Sequence, residues 1–426
     1  MQKPDIVRAQ EFDNVPCPFC GLLCDDLGIS AAAGTVTVRA NGCEKSRTLF
    51  AAHAQSTTTP SVDGKASTLD EAIARATAIL RAAKRPLFLS AGTDVAGMRA
   101  LIELAELTKG IVDHANREAM FRNLRVLQDT GWISTTLTEI RNRADLLVVA
   151  GTQVSNRFPR LLERCFGDFD TLFDTRPREL IFLGARADDL PLPLKSRSTS
   201  LAIEPLRIAE LFGGLRALLR GRTLLTNEIA GVAIEKVMVL LERMRAAKYG
   251  VLTWAASEFD FAHSDLAVQA MCELVKELNA KNRFAVLPLG GSDGDLTAMQ
   301  VTTWQTGFPV CVDFGRGVPS QAAPNYPPDI LIERGEVDAL VLVCAFDADR
   351  IATSPNIPSI VLGRAGPPPG HCNAYIPVSV PGLHHPGHLF RTDNVVAMRM
   401  RQLVAAAHPA ANEVLQKILD ALREAG

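Results

Sequence analysis

PLFLSAG, Pro86 to Gly92, is a short, continuous apolar run that stops on small residues. A strand buried on both faces reads this way, because no position in it faces water, and such strands belong to parallel sheets covered by helices. The pattern returns in DLLVVAG (Asp145 to Gly151), ELIFLGA (Glu179 to Ala185), GVLTWAA (Gly250 to Ala256), FAVLPLG (Phe284 to Gly290), ALVLVCA (Ala339 to Ala345) and SIVLG (Ser359 to Gly363). Helical patterns separate many of these runs. Upstream of the first, Ser67 with Asp70 resembles a capping box, and Leu69, Ile73, Ala76 and Leu80 share one helix face. Strands alternating with helices predict right-handed βαβ units in an α/β fold of parallel, helix-flanked sheets, with ligands beyond the carboxyl ends of the strands.

At 426 residues the chain exceeds what one hydrophobic core ordinarily supports, so more than one domain is expected. Residues 1–60, rich in Cys, Gly, Ala and Thr and without a long helical pattern, read as a small Cys-rich module that the linker SVDGKAS follows. Residues 61–200 read as a first α/β domain and 201–365 as a second. The helical periodicity from Pro205 to Ala246, with no strand in it, reads as the crossover between their sheets, and the main boundary is placed near residue 200. Residues 366–426, rich in Pro, Gly and His at their start, end in the amphipathic stretch NEVLQKILDALREA and are expected to pack back on the sheets.

The formal net charge of -2, from 45 basic and 47 acidic residues, lacks the basic excess that a polyanion partner requires, which excludes nucleic acid. No apolar run approaches the roughly 18 residues of a membrane span, and MQKPDIVRAQEFDNV has neither a signal-peptide core nor a transit-peptide pattern, so a cytoplasmic protein away from membranes is expected. Three conventional catalytic signatures are absent: there is no H-E-x-x-H, G-x-x-x-x-G-K-[ST] or G-x-G-x-x-G.

Nine cysteines are unevenly placed, with Cys17, Cys20, Cys24 and Cys43 close together near the start. In a reducing compartment this speaks for metal over disulfides. Three soft thiolates at spacings of three and four residues can wrap an iron–sulfur cube while a fourth closes it from another loop, and Gly21 would ease the tight turn. A tetrahedral zinc site is the competing metal reading, and four cysteines that merely pack is the bland one. Cys165, Cys272, Cys311 and Cys344 sit in apolar contexts and read as small buried side chains. Asp25 and Asp26 read as caps of a turn or helix start, and Arg141, Arg143 and Asp145 as surface and turn residues before a strand. In Asp313-Phe-Gly-Arg-Gly, Arg316 is either placed to meet an anionic group beyond a strand or part of a turn that needs its glycines.

CPFCGLLCDD followed by NGC resembles the N-terminal pattern of the B subunit of formylmethanofuran dehydrogenases, relatives of formate dehydrogenase in the molybdopterin oxidoreductase family. The segments Val126 to Val154, Thr302 to Pro319, Gly335 to Val343 and Ala374 to Arg399 are similar to that protein too, so the resemblance spans nearly the whole chain. It implies parallel helix-flanked sheets of the molybdopterin oxidoreductase type, as in formate dehydrogenase domains 1–3, and a [4Fe–4S] cluster on Cys17, Cys20, Cys24 and Cys43, with zinc or no metal as alternatives. In that family a molybdenum or tungsten ion is held by two pterin dinucleotides and one cysteine or selenocysteine. The resemblance puts that ligand in HANREAMFRNLRV (His114 to Val126), where Ala119 and Met120 stand and no cysteine occurs. Neither side chain is an anionic ligand, so no molybdenum or tungsten pterin and no catalytic residue of its own are expected. Asp293 and Asp295 replace an Asn-rich turn near the pterin segment, and carboxylates repel a pyrophosphate. His384, His385 and His388 replace an acidic, Gly-rich turn and read as a solvated loop.

The formyltransferase/hydrolase complex of methylotrophic bacteria is a variant of this family that hydrolyses the formyl group without redox chemistry. The resemblance to it implies a non-catalytic scaffold subunit in one-carbon metabolism. Its expected partners are an amidohydrolase-like subunit, a formyltransferase and a barrel-bearing subunit, with the formyl-carrier coenzyme met indirectly. The alternative is an active pterin-dependent dehydrogenase subunit, and a third reading is an iron–sulfur electron carrier.

Overall fold

The structure is a computed structural model, and it describes residues 9–32, 34–54, 58–174, 177–184, 190, 192–291, 294–321, 326–346, 356–364 and 372–424. The chain forms two compact units, Met1–Arg117 with Gly291–Gly426, and Glu118–Gly290.

The first unit opens with an antiparallel sheet of β1 (Gln10–Val15), β2 (Leu27–Ala32) and β3 (Thr35–Ala40), followed by helix α1 (Glu44–His53). Its main sheet has a parallel centre, in the order β7 (Ile111–His114), β6 (Pro86–Ser90), β17 (Ala339–Val343), β18 (Ser359–Gly363) and β19 (Ala374–Pro377). Antiparallel pairs extend both edges: β15 (Val312–Asp313) with β16 (Ser320–Gln321), and β4 (Ser61–Val62) with β5 (Lys65–Ala66). Strand alternation sends Phe88, Val341, Val343 and Ile360 to one face. There they pack on α2 (Leu69–Ala82), α3 (Val95–Leu107), α12 (Asp295–Thr306) and α14 (Ala411–Arg423). Leu87, Ile111 and Leu340 face the other way, toward Leu331 of α13 (Pro328–Glu333). In α14 the spacing of Val414, Leu415, Ile418 and Leu419 puts all four in the core, each burial being worth about 1.5–3 kcal/mol. A hairpin of β20 (His388–Phe390) and β21 (Ala397–Arg399) completes the unit.

The second unit is an all-parallel sheet in the order β10 (Ser198–Leu201), β9 (Glu179–Leu183), β8 (Leu146–Ala150), β13 (Tyr249–Trp254), β14 (Arg283–Pro288). Its core joins Val148, Leu183, Leu252 and Trp254 to α9 (Ile208–Leu219), α10 (Ile234–Ala246) and α11 (Ser264–Leu278), with Ala119 and Val126 of α4 (Arg117–Asp129). Helices α5 (Leu137–Arg143), α6 (Val154–Arg157), α7 (Leu161–Phe166) and α8 (Leu192–Lys195) lie in the connections, and β11 (Glu228–Ile229) pairs with β12 (Val232–Ala233).

All the apolar runs quoted above are strands of these sheets, and the α/β class holds. The division differs from the one expected: the chain parts after Arg117 and Gly290, not near residue 200, and no boundary falls at 60, 200 or 365. β6 and β7 pair with β17 to β19 from far along the chain, whereas β8 to β10 join β13 and β14. The stretch from Pro205 to Ala246 therefore crosses over within one sheet, and the hairpin β11–β12 interrupts its helices. The capping box of α2 is formed by Thr68 and Glu71, one residue beyond the pair expected, while Ser67 Oγ also donates to Glu71 at 2.6 Å. Among the described residues no helix is long and apolar enough to cross a membrane.

Candidate functional site

β1 runs out into the loop that carries Cys17, Cys20 and Cys24, all buried. Two backbone bonds close the loop, Cys17 N–H to Cys24 O (2.8 Å) and Leu23 N–H to Cys20 O (3.1 Å). The left-handed turn falls on Leu23 (φ 43°) and not on Gly21, where the sequence suggests it. Gly21 serves close packing instead: its carbonyl accepts Thr392 N–H at 2.7 Å, and a Cβ on Gly291 would come within 2.9 Å of its Cα. Phe19 anchors the loop to α1, edge-on to Phe50 (4.9 Å) and His53 (5.5 Å). Cys43 is the N-cap of α1, its Sγ accepting Ser46 N–H at 3.4 Å. Burial pushes the Cys17 thiol well up, and charge on Cys20, then Cys24 and Cys43, pushes it further. Burial is also the main cause that raises the Cys20 thiol. Among the described residues, however, no set of three or more His, Cys, Asp or Glu side chains is grouped as a metal site. Asp25 and Asp26 lead into β2 and start no helix.

Open parallel sheets bind ligands where the strand order reverses. In the first unit that point lies between β6 and β17. The loop after β6 is covered by backbone here: a Cβ on Gly294 would lie 3.1 Å from Gly92 Cα, and one on Gly387 would lie 2.6 Å from Asp94 Oδ2. Asp94 itself caps α3 through Gly97 N–H at 3.0 Å. Two hydroxyls at this point, Ser90 Oγ and Thr93 Oγ1, are buried with no hydrogen-bond partner among the described residues. Thr93 Oγ1 rests on Gly97, 2.1 Å from where a Cβ would stand.

In the second unit the order reverses between β8 and β13. Gly151 (φ 56°) turns there, and a Cβ on it would strike the Phe259 ring at 2.5 Å. Thr152 Oγ1 accepts Ala255 N–H at 2.7 Å and donates to Ala150 O at 3.0 Å, tying the two strand ends together. The next backbone donor, Gln153 N–H, points at Glu258 Oε2 (3.0 Å), and Arg157 Nε meets Glu258 Oε1 at 2.8 Å. A carboxylate of the chain thus holds the N–H and the guanidinium that an anionic ligand would use.

Ala119 and Met120 are both buried on α4. One turn earlier, Arg117 Nε pairs with the buried Asp113 at 2.8 Å, and Arg117 Nη2 lies 3.8 Å from Cys311 Sγ. Burial raises the Asp113 carboxyl to about 6 against the pull of Arg117, and burial with the nearby Asp113 pushes the Cys311 thiol up to about 12, so the thiol stays neutral. Sequence reasoning missed this cluster, because Asp113 lies on β7 and Arg117 opens α4, so the i,i+4 rule for one helix face does not reach the pair.

Asp295 does not face open space as a carboxylate poised against phosphate would. It is buried, accepts Gly291 N–H (2.5 Å) and Leu296 N–H (2.8 Å) on Oδ1, and accepts Asn116 Nδ2 on Oδ2. Asp293 lies outside the described residues. The solvated-loop reading of the histidines is corrected likewise. His384 is buried, its Nδ1 accepting Val380 N–H at 3.1 Å and its Nε2 standing 3.4 Å from Ala54 O. His385 Nδ1 lies 2.8 Å from Ser379 Oγ, and His388 is exposed on β20. Burial holds the His384 and His385 imidazoles below their ordinary range. β15 runs antiparallel to β7, so the turn carrying Arg316 lies at the amino ends of the parallel strands, away from the crevice. Asp313 organises that turn, accepting Gly315 N–H at 2.8 Å and pairing with Arg85 at 2.7 Å. Asp145 is the turn residue expected, accepting Lys248 and Tyr249 N–H at 2.8 and 3.0 Å.

No family model matches the chain. It is 28% identical over 410 residues to the B subunit of the tungsten-containing formylmethanofuran dehydrogenase 2 of Methanocaldococcus jannaschii, covering 92% of this chain and 93% of the relative. It is 26% identical over 378 residues to the B subunit of the formyltransferase/hydrolase complex Fhc of Methylorubrum extorquens, covering 86% of this chain and 98% of the relative. Among solved structures it matches the X-ray structure of the formyltransferase/hydrolase complex (FhcABCD) of Methylorubrum extorquens in complex with methylofuran, with TM-score 0.74 and 25% identity over 86% of this chain and 99% of that one. The chain is a homologue of both of these proteins.

Proposed function

We propose that this chain is the B-type member of a formyltransferase/hydrolase complex that releases formate from a formyl-furan carrier in one-carbon metabolism, and that it contributes structure and not a redox centre. The observation that carries the reading is at α4. Where the resemblance requires an anionic metal ligand, the chain has Ala119 and Met120, one packed in the apolar core of its unit and both buried. The two switch-point crevices support it, one covered by the backbone at Gly294 and Gly387, the other holding Glu258. In this reading the two units are domains of the molybdopterin oxidoreductase type whose cofactor crevices have been closed. Formyl transfer and hydrolysis then belong to partner subunits, including amidohydrolase-like, formyltransferase and barrel-bearing ones. Exposed Leu172, Trp304 and Val395 fit a chain that is covered by partners in the cytoplasm.

For the cysteines, a [4Fe–4S] cluster on Cys17, Cys20, Cys24 and Cys43 is the group the donor set suits best, with zinc as the alternative. What supports it is the donor set, three buried thiols on one loop and a fourth at the start of α1. Such a cluster would serve the fold here, since the chain has no redox ligand for it to feed.

A second reading, an active molybdenum or tungsten pterin dehydrogenase subunit, has on its side the hydroxyls of Ser90 and Thr93, which have no partner among the described residues, and the 28% identity to the tungsten enzyme. The test is to purify the chain with its partner subunits, assay formate release without an electron acceptor, and measure Mo, W, Fe, Zn and pterin. Acceptor-independent release without pterin is the expected result. Strict dependence on an acceptor, or stoichiometric pterin, gives the second reading. Iron with an oxidation-sensitive visible absorbance supports the cluster, and neither iron nor zinc in protein prepared without oxygen removes it.

A further inference from the structure

The parallel sheet of the second unit ends differently on its two sides. At β14 the chain covers its own edge: Val286 N–H donates to Ile133 O at 2.8 Å, and Thr135 N–H donates to Val286 O at 3.0 Å. At the other side β10 is terminal, with no strand beyond it among the described residues. Leu180 and Gly184 N–H donate to Arg197 O and Leu201 O, at 3.1 and 3.0 Å. The alternation of a parallel pair therefore turns the N–H and C=O of Ser198 and Ser200 away from β9. Ser200 is exposed.

Beside this edge, on the face where α10 packs, lies a groove of about 360 Å³. Its floor is apolar, formed by Ile181, Leu201, Val239 and Leu240. Val239 is 53% exposed and its neighbour Met238 52%, a sizeable apolar strip for one helix to leave in water. The rim is basic on balance. Glu235 is the carboxylate among the lining residues, against Lys236 and Arg243, and exposed Lys195 stands just before the strand. Arg243 is also 3.7 Å from Glu179. A short strand and a lysine are ordinary guards of an open edge, but neither accounts for the apolar groove next to it.

We propose that the β10 edge is a docking site for an extended segment of a partner subunit, which adds to this sheet as a further strand and sets an apolar side chain into the groove. The inference rests on the reading that the chain works inside a multi-subunit complex. Outward N–H and C=O groups select an extended backbone, and the groove selects an apolar side chain at alternate positions of it. The basic rim calls for acidic residues in that segment. It also tells against a second copy of this chain, whose identical rim would meet like charge.

The test uses the chain co-expressed with the other subunits of its complex, compared with the chain alone. Backbone amide exchange at Ser198 and Ser200 is expected to slow at least tenfold on assembly. Ser200→Pro removes an N–H that bonds nothing among the described residues and is tolerable on an edge strand, so it should leave the melting temperature of the isolated chain unchanged yet weaken partner binding at least tenfold. Val239→Glu should weaken it likewise. Unchanged exchange at β10 in an assembled complex overturns the proposal, and this measurement on the native chain needs no variant to fold. So does Val239→Glu sensitivity without Ser200→Pro sensitivity, which would mean a helix fills the groove. A dimer of the isolated chain with slow β10 amides would assign the edge to a second copy and also overturn it. If the native chain recruits no partner subunits at all, the subunit reading itself fails and takes this inference with it.

Discussion

Asn116 Nδ2 donates to Asp295 Oδ2 at 2.8 Å, and the two residues stand on the two segments through which the chain leaves the first unit and returns to it. The break follows Arg117, and the return begins at Gly291, whose N–H bonds the other oxygen of the same carboxylate. One buried side chain therefore ties the outgoing and incoming segments together inside that unit. A carboxylate does this well, because it accepts bonds in several directions and is stronger as an acceptor than a neutral amide.

Removing that carboxylate leaves the Gly291 N–H and the Asn116 amide unpaired, at about 1–3 kcal/mol for each group that stays buried. Asp295→Ala should lower the urea midpoint and speed exchange of the Gly291 amide at least tenfold. Asn116→Ala should cost about 1 kcal/mol, and the double variant should be little worse than Asp295→Ala, because both act on one network. Additive losses, or native exchange at Gly291, would show that the two crossings are not tied through Asp295.

Acid should loosen the segment around His384. Its imidazole is held below the ordinary value by burial, so the folded state resists a proton that the unfolded chain accepts. The stability it contributes is complete above the unfolded value of about 6.5 and is lost as pH falls from there toward the lower folded value. His385 is shifted in the same direction by burial. Denaturation midpoints between pH 7.5 and 5 should fall more steeply for the native chain than for His384→Asn, with the Val380 amide gaining exchange first. Parallel pH profiles for the two proteins would refute the assignment.

The strands were legible because a strand buried on both faces leaves an uninterrupted apolar run, and residues such as Leu146 to Ala150 have no exposed position to break it. Which sheet each strand joins was not legible. Pairing of β6 with β17 is a long-range event, and periodicity reports only local geometry. The cysteine spacing marked out the loop, yet the left-handed residue in it is Leu23, placed by packing that no spacing rule describes. The reading of His384 as solvated fails for a physical reason. A polar residue in a Gly- and Pro-rich stretch looks solvated, and whether it is buried depends on what folds over it. Glu258 gave no signal at all, since its role exists only once β8 and β13 lie side by side.

Met120 separates the structural reading of α4 from a ligand role. Met120→Leu keeps volume and apolar character, so it should cost less than about 1.5 kcal/mol. Formate release by the assembled complex should then stay within about twofold of native, a free-energy difference of roughly 0.4 kcal/mol. A tenfold loss with native stability and native assembly would require the thioether to touch a reacting centre.

Glu258 decides whether the crevice of the second unit is closed by charge or only by shape. Its carboxylate takes Gln153 N–H at 3.0 Å and Arg157 Nε at 2.8 Å, so Glu258→Ala leaves a backbone donor and a guanidinium facing the space the side chain filled. Loss of these contacts should destabilise the chain by about 1–3 kcal/mol. An anion that entered in place of the carboxylate would bind the folded state alone and recover part of that loss by mass action. Inorganic phosphate at 100 mM should therefore raise the melting temperature of Glu258→Ala more than sodium chloride of equal ionic strength does, and should not discriminate in this way for the native chain. Glu258→Gln, which keeps an oxygen for Gln153 N–H but not the charge for Arg157, should fall between the two. Equal responses to phosphate in all three proteins would mean that the crevice is shut by packing around Gly151 and Phe259, with the charge of Glu258 incidental to it.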